Sequence, residues 1–170
     1  MDLKQIIRSI PDFPEKGILF RDITTVLQDG AALREAVSQM ASFIEGKDFD
    51  LVAGPESRGF IFGVPIAYNM SKGFVPIRKK GKLPSKTLSK EYALEYGTST
   101  IEMHADAIQK GQRVVIIDDL LATGGTCKAA AELIQDAGGI VSAMVFFIEL
   151  EALGGQALLN GYDVYSVVKY

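Results

Sequence analysis

The stretch Val114–Thr126, VVIIDDLLATGGT, constrains this chain more than any other. Val114, Val115, Ile116 and Ile117 are all branched and apolar. No side of such a strand suits water, so it belongs in a sheet covered on both faces, usually a parallel one. The run leads directly into Asp118 and Asp119, then into a short Gly/Thr turn. Beyond the turn, Ala130, Leu133, Ile134 and Ala137 recur at helical spacing, which predicts a helix from Gly125 to Ala137. Gly138-Gly139 should end that helix, because glycine tolerates the left-handed cap. In open α/β sheets, ligands bind beyond the carboxyl ends of strands. A helix N-terminus there offers unpaired N–H groups and partial positive charge, which suit a phosphate. Gly124 and Gly125 let the backbone approach closely, and Thr123 and Thr126 add hydroxyl donors. Ionised carboxylates only accept hydrogen bonds, so Asp118 and Asp119 suit the hydroxyls of a sugar ring. The lysine of a P-loop is missing, and so is a dinucleotide fingerprint. The combination therefore points to a ribose 5-phosphate. Dipole complementarity alone would explain two acids near a helix start, but not the whole string.

The remaining chain repeats the strand-then-helix theme. A helix is expected at residues 2–9 and another at about 31–45, where Leu33, Ala36, Val37, Met40 and Ile44 share a face. Residues 11–28 carry Pro11, Pro14 and Gly17 and read as an irregular, partly extended lobe. Leu51-Val52-Ala53 and Phe74-Val75-Pro76-Ile77 read as short strands, with a helix at about 58–70 between them that Pro65 should kink. Further strands are expected at Val141–Leu150 and Tyr162–Val168. The alternation implies an α/β fold with a mainly parallel sheet flanked by helices, in one domain of 170 residues. Residues 79–103 interrupt it. They are polar, and Thr87–Tyr92 can pair with Ser99–Met103 as a hairpin. Insertions of this length are commonly functional lids.

Composition narrows the function. Net charge is −3, which disfavours a general nucleic-acid or membrane-surface binder. Any anion site must then be local. From Lys72 to Lys90 there are seven basic residues (Lys72, Arg78, Lys79, Lys80, Lys82, Lys86 and Lys90) and no acid. Such a run is ordinarily a solvated face, and Lys72, Lys86 and Lys90 are read that way. The single cysteine, Cys127, permits no intrachain disulfide and fits a reducing compartment. With no signal-peptide pattern at the N-terminus, the expected location is the cytoplasm. Cys127 and the only histidine, His104, receive no catalytic role.

The string Ile117–Thr126 resembles the phosphoribosyl pyrophosphate (PRPP) motif of type I phosphoribosyltransferases. Other segments are similar to the adenine-specific members of that family. Ile10–Pro14 and Gly17–Ile23 look like their base-binding hood, about residues 10–28. Ala53–Phe60, AGPESRGF, looks like their pyrophosphate loop, with Glu56 where some members carry aspartate. Ile77–Pro84 and Leu94–Gly97 look like the two ends of their flexible lid, about residues 79–103. The resemblance implies transfer of the phosphoribosyl group of PRPP to adenine. It assigns Asp118 and Asp119 to the ribose and Ala122, Thr123, Gly124, Gly125 and Thr126 to the 5-phosphate. Ser57, Arg58, Arg78, Lys79, Lys82 and Tyr96 fall to pyrophosphate. Leu19, Phe20, Arg21 and Leu150 fall to adenine, and Glu95 becomes the proton-transfer residue. It further implies Mg²⁺ bound with PRPP and reached by Asp118 or Asp119 through water, a homodimer, and a cis peptide at Glu56-Ser57. Two other functions stay open at this level: transfer to another base, and PRPP sensing without catalysis. The second has no need of Glu95 or of the basic lid.

Overall fold

The computed structural model describes residues 1–94 and 97–170. The chain divides into two compact units, Met1–Gln39 and Met40–Tyr170. In the first, helix α1 (Leu3–Ile6) is capped by Asp2, whose carboxylate accepts the Lys4 N–H at 3.1 Å. The helix is shorter than the expected 2–9 because Arg8–Pro11 forms strand β1, paired antiparallel with β2 (Leu19–Asp22). Cross-strand pairing takes these residues, and nothing in their apolar spacing announces it. Asp22 closes the hairpin, with Arg8 Nη2 at 2.6 Å. It also accepts the Thr24 N–H at 2.9 Å, at the start of α2 (Thr24–Leu27). Helix α3 (Gly30–Ser42) follows and crosses the unit boundary.

The second unit is built on a seven-stranded sheet. Its strands are β3 (Leu51–Pro55), β4 (Gly73–Lys79), β5 (Thr87–Ala93), β6 (Thr98–His104), β7 (Arg113–Leu121), β8 (Ile140–Glu149) and β9 (Val164–Lys169). The order is β5-β6-β4-β3-β7-β8-β9. β4, β3, β7, β8 and β9 run parallel, whereas the β5–β6 hairpin joins antiparallel through β4. The segment expected as a lid is thus an edge of the main sheet. Helix α4 (Arg58–Asn69) links β3 to β4 and α5 (Gly125–Asp136) links β7 to β8, while α6 (Gly155–Leu158) follows β8. Pro65 does not end α4, which continues to Asn69. Among the described residues, no helix is long and apolar enough to cross a membrane.

Parallel crossovers are right-handed. Those leaving β3 and β7 step in opposite directions along the sheet, so α4 and α5 cover opposite faces. Packing agrees: Phe62 of α4 lies 5.1 Å from Phe147 of β8, ring to ring. Cys127, Ala130, Leu133 and Ile134 of α5 pack with Val114, Ile116, Met144 and Phe146. Val114–Ile117 is fully buried, as its composition requires. Glycine ends α5 as expected: Gly138 has φ 87°. The Gly138 and Gly139 N–H groups donate to Gln135 and Ile134 carbonyls at 2.8 and 2.9 Å, the paired bonds of a Schellman motif. The reversal of strand order between β3 and β7 opens a crevice at their carboxyl ends, where such folds bind ligands.

Candidate active site

That crevice holds a cavity of about 230 Å³. One wall is Pro55–Arg58, leaving β3, and the other is Asp118–Cys127, leaving β7, with Phe146 at the base. β7 runs further than its composition suggested. It stays paired with β8 through Leu121↔Glu149, so Asp118 and Asp119 sit within the strand and not beyond its end. Alternation starts the two side chains on opposite faces of the strand, yet both carboxylates come within the influence of Arg58 at the start of α4. Asp119 meets α4, its Oδ2 lying 2.7 Å from Arg58 Nε. Asp118 influences Cys127 on the α5 side. Gly59 permits α4 to approach so closely: a Cβ there would lie 3.0 Å from both Asp118 Oδ1 and Ile117 O.

Burial pushes the Asp118 carboxyl well above the usual carboxylate range, and the charge of Asp119 adds to this. Asp119 is raised too by burial, with Arg58 opposing. The pair therefore resists carrying two charges until a partner arrives. Burial, with Asp118 nearby, also pushes the Cys127 thiol well up, so it is no nucleophile. Its Sγ packs 3.5 Å from Met144 Sδ.

The turn Ala122–Thr126 lines the cavity as expected. Gly124 has φ 86°, and a Cβ on it would come within 2.9 Å of Gly155 O. Only glycine fits both demands. The first N–H groups of α5 have no partner within the helix and face this turn. The Thr126 hydroxyl donates to Tyr92 Oη at 3.1 Å, tying the turn to β5. Tyr92 was not foreseen, because a residue in a polar hairpin carries no mark of its partner.

Arg78, Lys79 and Lys82 do not line this cavity, but they converge on Glu56, which does. Glu56 Oε1 accepts the Lys79 N–H at 2.7 Å, and Oε2 lies 3.1 Å from Lys82 Nζ and 3.4 Å from Arg78 Nη2. Arg78 Nη1 donates to Lys82 O at 3.1 Å. Burial alone would raise the Glu56 carboxyl, but the Lys79 N–H, Lys82 and Arg78 outweigh it, and the net shift is downward. Glu102, buried on β6, holds the same turn by accepting the Gly81 N–H at 3.0 Å. Neither glutamate's role was apparent from sequence. Glu56 stood out only as a variant inside a motif. The Glu56-Ser57 peptide is cis, as the family resemblance implied.

Lys90, expected on a solvated face, instead pairs with Glu132 and Asp136 of α5 at 3.3 and 3.2 Å. Leu150 directly follows β8, its N–H donating to Leu121 O at 2.9 Å, and does not line the cavity. Leu19, Phe20 and Arg21 lie on β2 in the first unit, where Phe20 packs edge-on against Phe13 at 5.2 Å. Pro11 stands opposite Leu19 and has no N–H. The hydrogen-bonded pair is therefore Ile10↔Phe20, and the Leu19 C=O and Arg21 N–H point away from β1. Glu95 and Tyr96 lie outside the described residues.

No group of three or more His, Cys, Asp or Glu that could hold a metal ion occurs among the described residues. The two aspartates supply acceptors but no cage. A cation such as Mg²⁺ fits here only if it brings most of its oxygen ligands with a polyphosphate, as that ion commonly does.

A phosphoribosyl transferase domain model matches residues 24–163. The adenine phosphoribosyltransferase of Lachnoclostridium phytofermentans is 61% identical over 168 residues, covering 99% of this chain and 97% of the relative. The crystal structure of adenine phosphoribosyltransferase from Thermoanaerobacter pseudethanolicus superposes with a TM-score of 0.97 at 55% identity, over 99% of this chain and 98% of that one. The Saccharomyces cerevisiae enzyme, crystallised with an imino-altritol bisphosphate and adenine, gives 0.92 at 34% identity, over 98% and 96%. The chain belongs to the phosphoribosyltransferase family, among its adenine phosphoribosyltransferases.

Proposed function

We propose that this chain salvages purine by transferring the 5-phosphoribosyl group of PRPP to N9 of adenine, giving AMP and pyrophosphate. The observation that carries this reading is the pairing, in one crevice, of the Asp118–Asp119 acceptors with the Ala122–Thr126 turn. The turn's N–H groups and Thr123 and Thr126 hydroxyls hold the 5-phosphate, and the aspartates accept from the ribose hydroxyls. As the C1–pyrophosphate bond breaks, positive charge builds on the ribose and negative charge on the leaving group. The protein needs no covalent nucleophile, since adenine supplies it. Its residues position the reactants and neutralise charge. Ser57, Arg58, Arg78, Lys79, Lys82 and Tyr96 stabilise the departing pyrophosphate. Asp118 and Asp119 would hold, through water, a Mg²⁺ that arrives with PRPP, and that ion would supply positive charge to the leaving pyrophosphate. Glu95 accepts or donates the proton near purine N7.

Residues 10–28 act as the hood over the base and 79–103 as the lid that excludes water, within one functional domain. The Leu19 C=O accepts from the adenine 6-amino group and the Arg21 N–H donates to N1, with Phe20 and Leu150 on the ring faces. A 6-oxo purine would place oxygen against the Leu19 carbonyl. Sites built on such pairs reject the mismatch by about 10⁴-fold. The test is AMP formation from adenine and PRPP, with and without Mg²⁺, in competition with hypoxanthine and guanine. Comparable use of a 6-oxo purine would overturn the adenine assignment.

The enzyme is proposed to work in the cytoplasm as a homodimer. Ile61, Val64 and Tyr68 form an apolar stripe on α4, exposed by 36%, 47% and 82%. A two-fold contact buries such a stripe against its own copy.

A further inference from the structure

We propose that Glu56 is a built-in competitor of pyrophosphate. The idea rests on the reading of Arg78 and Lys82 as pyrophosphate ligands and adds a role for the residue that holds them. In this structure the anion those two cations meet is the protein's own. Glu56 Oε2 lies 3.1 Å from Lys82 Nζ and 3.4 Å from Arg78 Nη2, while Oε1 is fixed by the Lys79 N–H at 2.7 Å. Glu56 is itself one of the residues lining the cavity.

Two features mark the contacts as exchangeable. The Arg78 contact is long and single, unlike the 2.7 Å pair of Arg58 with Asp119. Arg78 Nε is buried and finds no acceptor among the described residues, so Glu56 leaves the guanidinium incompletely satisfied. A pyrophosphate oxygen entering the cluster offers a stronger acceptor, and both cations turn from Glu56 towards it. When bond cleavage is over, Glu56 takes them back and lowers the affinity for the departing product. The residue thus sets product release, and the backbone bond to Lys79 keeps it in place throughout.

Glu56→Gln tests this because it keeps an Oε1 acceptor for Lys79 and replaces the charged oxygen facing Lys82 and Arg78 with a neutral amide NH2. Its pyrophosphate inhibition constant is expected to fall about fivefold, the scale of one partly exposed ion pair. The KM for PRPP should fall with it, and the KM for adenine should not move. Glu56→Asp, a residue some family members carry at this position, should shift pyrophosphate binding the same way to a lesser extent, because the shorter side chain cannot reach all three partners. It serves if the glutamine variant folds poorly. Lys82→Met in the otherwise unchanged enzyme should weaken pyrophosphate inhibition. If Lys82→Met weakens it while the Glu56 variants leave it unchanged or weaker, the competitor role is overturned and the pyrophosphate site stands. If Lys82→Met has no effect, the pyrophosphate assignment itself fails, and the competitor role with it.

Discussion

Asp118 shows at the scale of one residue how a buried carboxylate opposes folding. Its carboxyl is raised by burial and by the neighbouring Asp119. The folded chain therefore keeps a proton that the unfolded chain releases near the ordinary value of 3.8. Between that value and the raised one, the folded state binds more protons, so stability falls as pH rises. Above the window the cost of a buried charge is present in full. Asp118→Asn removes it. Calorimetry from pH 4 to pH 8 should show the variant and the parent with similar Tm at the acid end, and the variant gaining as pH rises. PRPP binding should weaken at the same time, because the amide offers a donor where the ribose needs an acceptor. A variant no more stable than the parent at pH 8 would show that the carboxylate is better solvated than its surroundings imply.

Among the elements, the β5–β6 hairpin is the informative one. Its polar sequence reads as an insertion, yet β6 pairs with β4 through Arg78↔Glu102 and Lys79↔Ile101. β5 is anchored to α5 by Lys90 and by the Tyr92–Thr126 hydrogen bond. The hairpin and the Ala122–Thr126 turn are therefore linked through the Tyr92–Thr126 hydroxyl pair. Tyr92→Phe should cost about 1 kcal/mol of stability, the typical worth of a hydrogen bond. It should also speed amide hydrogen exchange in Thr87–Ala93 more than in β8. With Thr126 no longer engaged by Tyr92, its hydroxyl is available to phosphate, so the KM for PRPP should not rise. A raised KM would mean that Tyr92 itself contacts the substrate. The short β1–β2 pair makes a related point: one proline, Pro11, decides which backbone groups of Leu19–Arg21 face outward.

For the whole molecule, the question is what covers α4. Tyr68 is 82% exposed and shares a face with Ile61 and Val64. Stable interfaces bury about 800 Å² per partner. A stripe of three apolar side chains supplies the centre of such a patch. Val64→Glu combined with Tyr68→Glu should convert a dimer to a monomer in sedimentation while leaving the far-ultraviolet circular dichroism unchanged. A protein that sediments as a monomer before mutation would refute the dimer, and one that stays dimeric after it would move the interface elsewhere.

Much of this protein is local in origin. Four consecutive branched residues, Val114–Ile117, require a doubly covered strand, and two glycines at 138–139 stop the helix. The Asp-Asp and Gly-Gly pairs mark the Asp118–Thr126 segment as a candidate site, because each needs a specific backbone or charge property that a short segment can express. The β3/β7 reversal, by contrast, depends on which strands become neighbours, and no single segment encodes its own neighbour. The same holds for Asp119 with Arg58, Glu56 with Lys82, Glu102 with Gly81 and Tyr92 with Thr126. These pairs join residues 21 to 61 positions apart. Sequence spacing predicts contacts along a helix or across a tight turn, where geometry is fixed by a few bonds. Contacts between separate strands and helices form only once the apolar faces have packed, and that packing set Arg58 against Asp119 and the basic loop against Glu56.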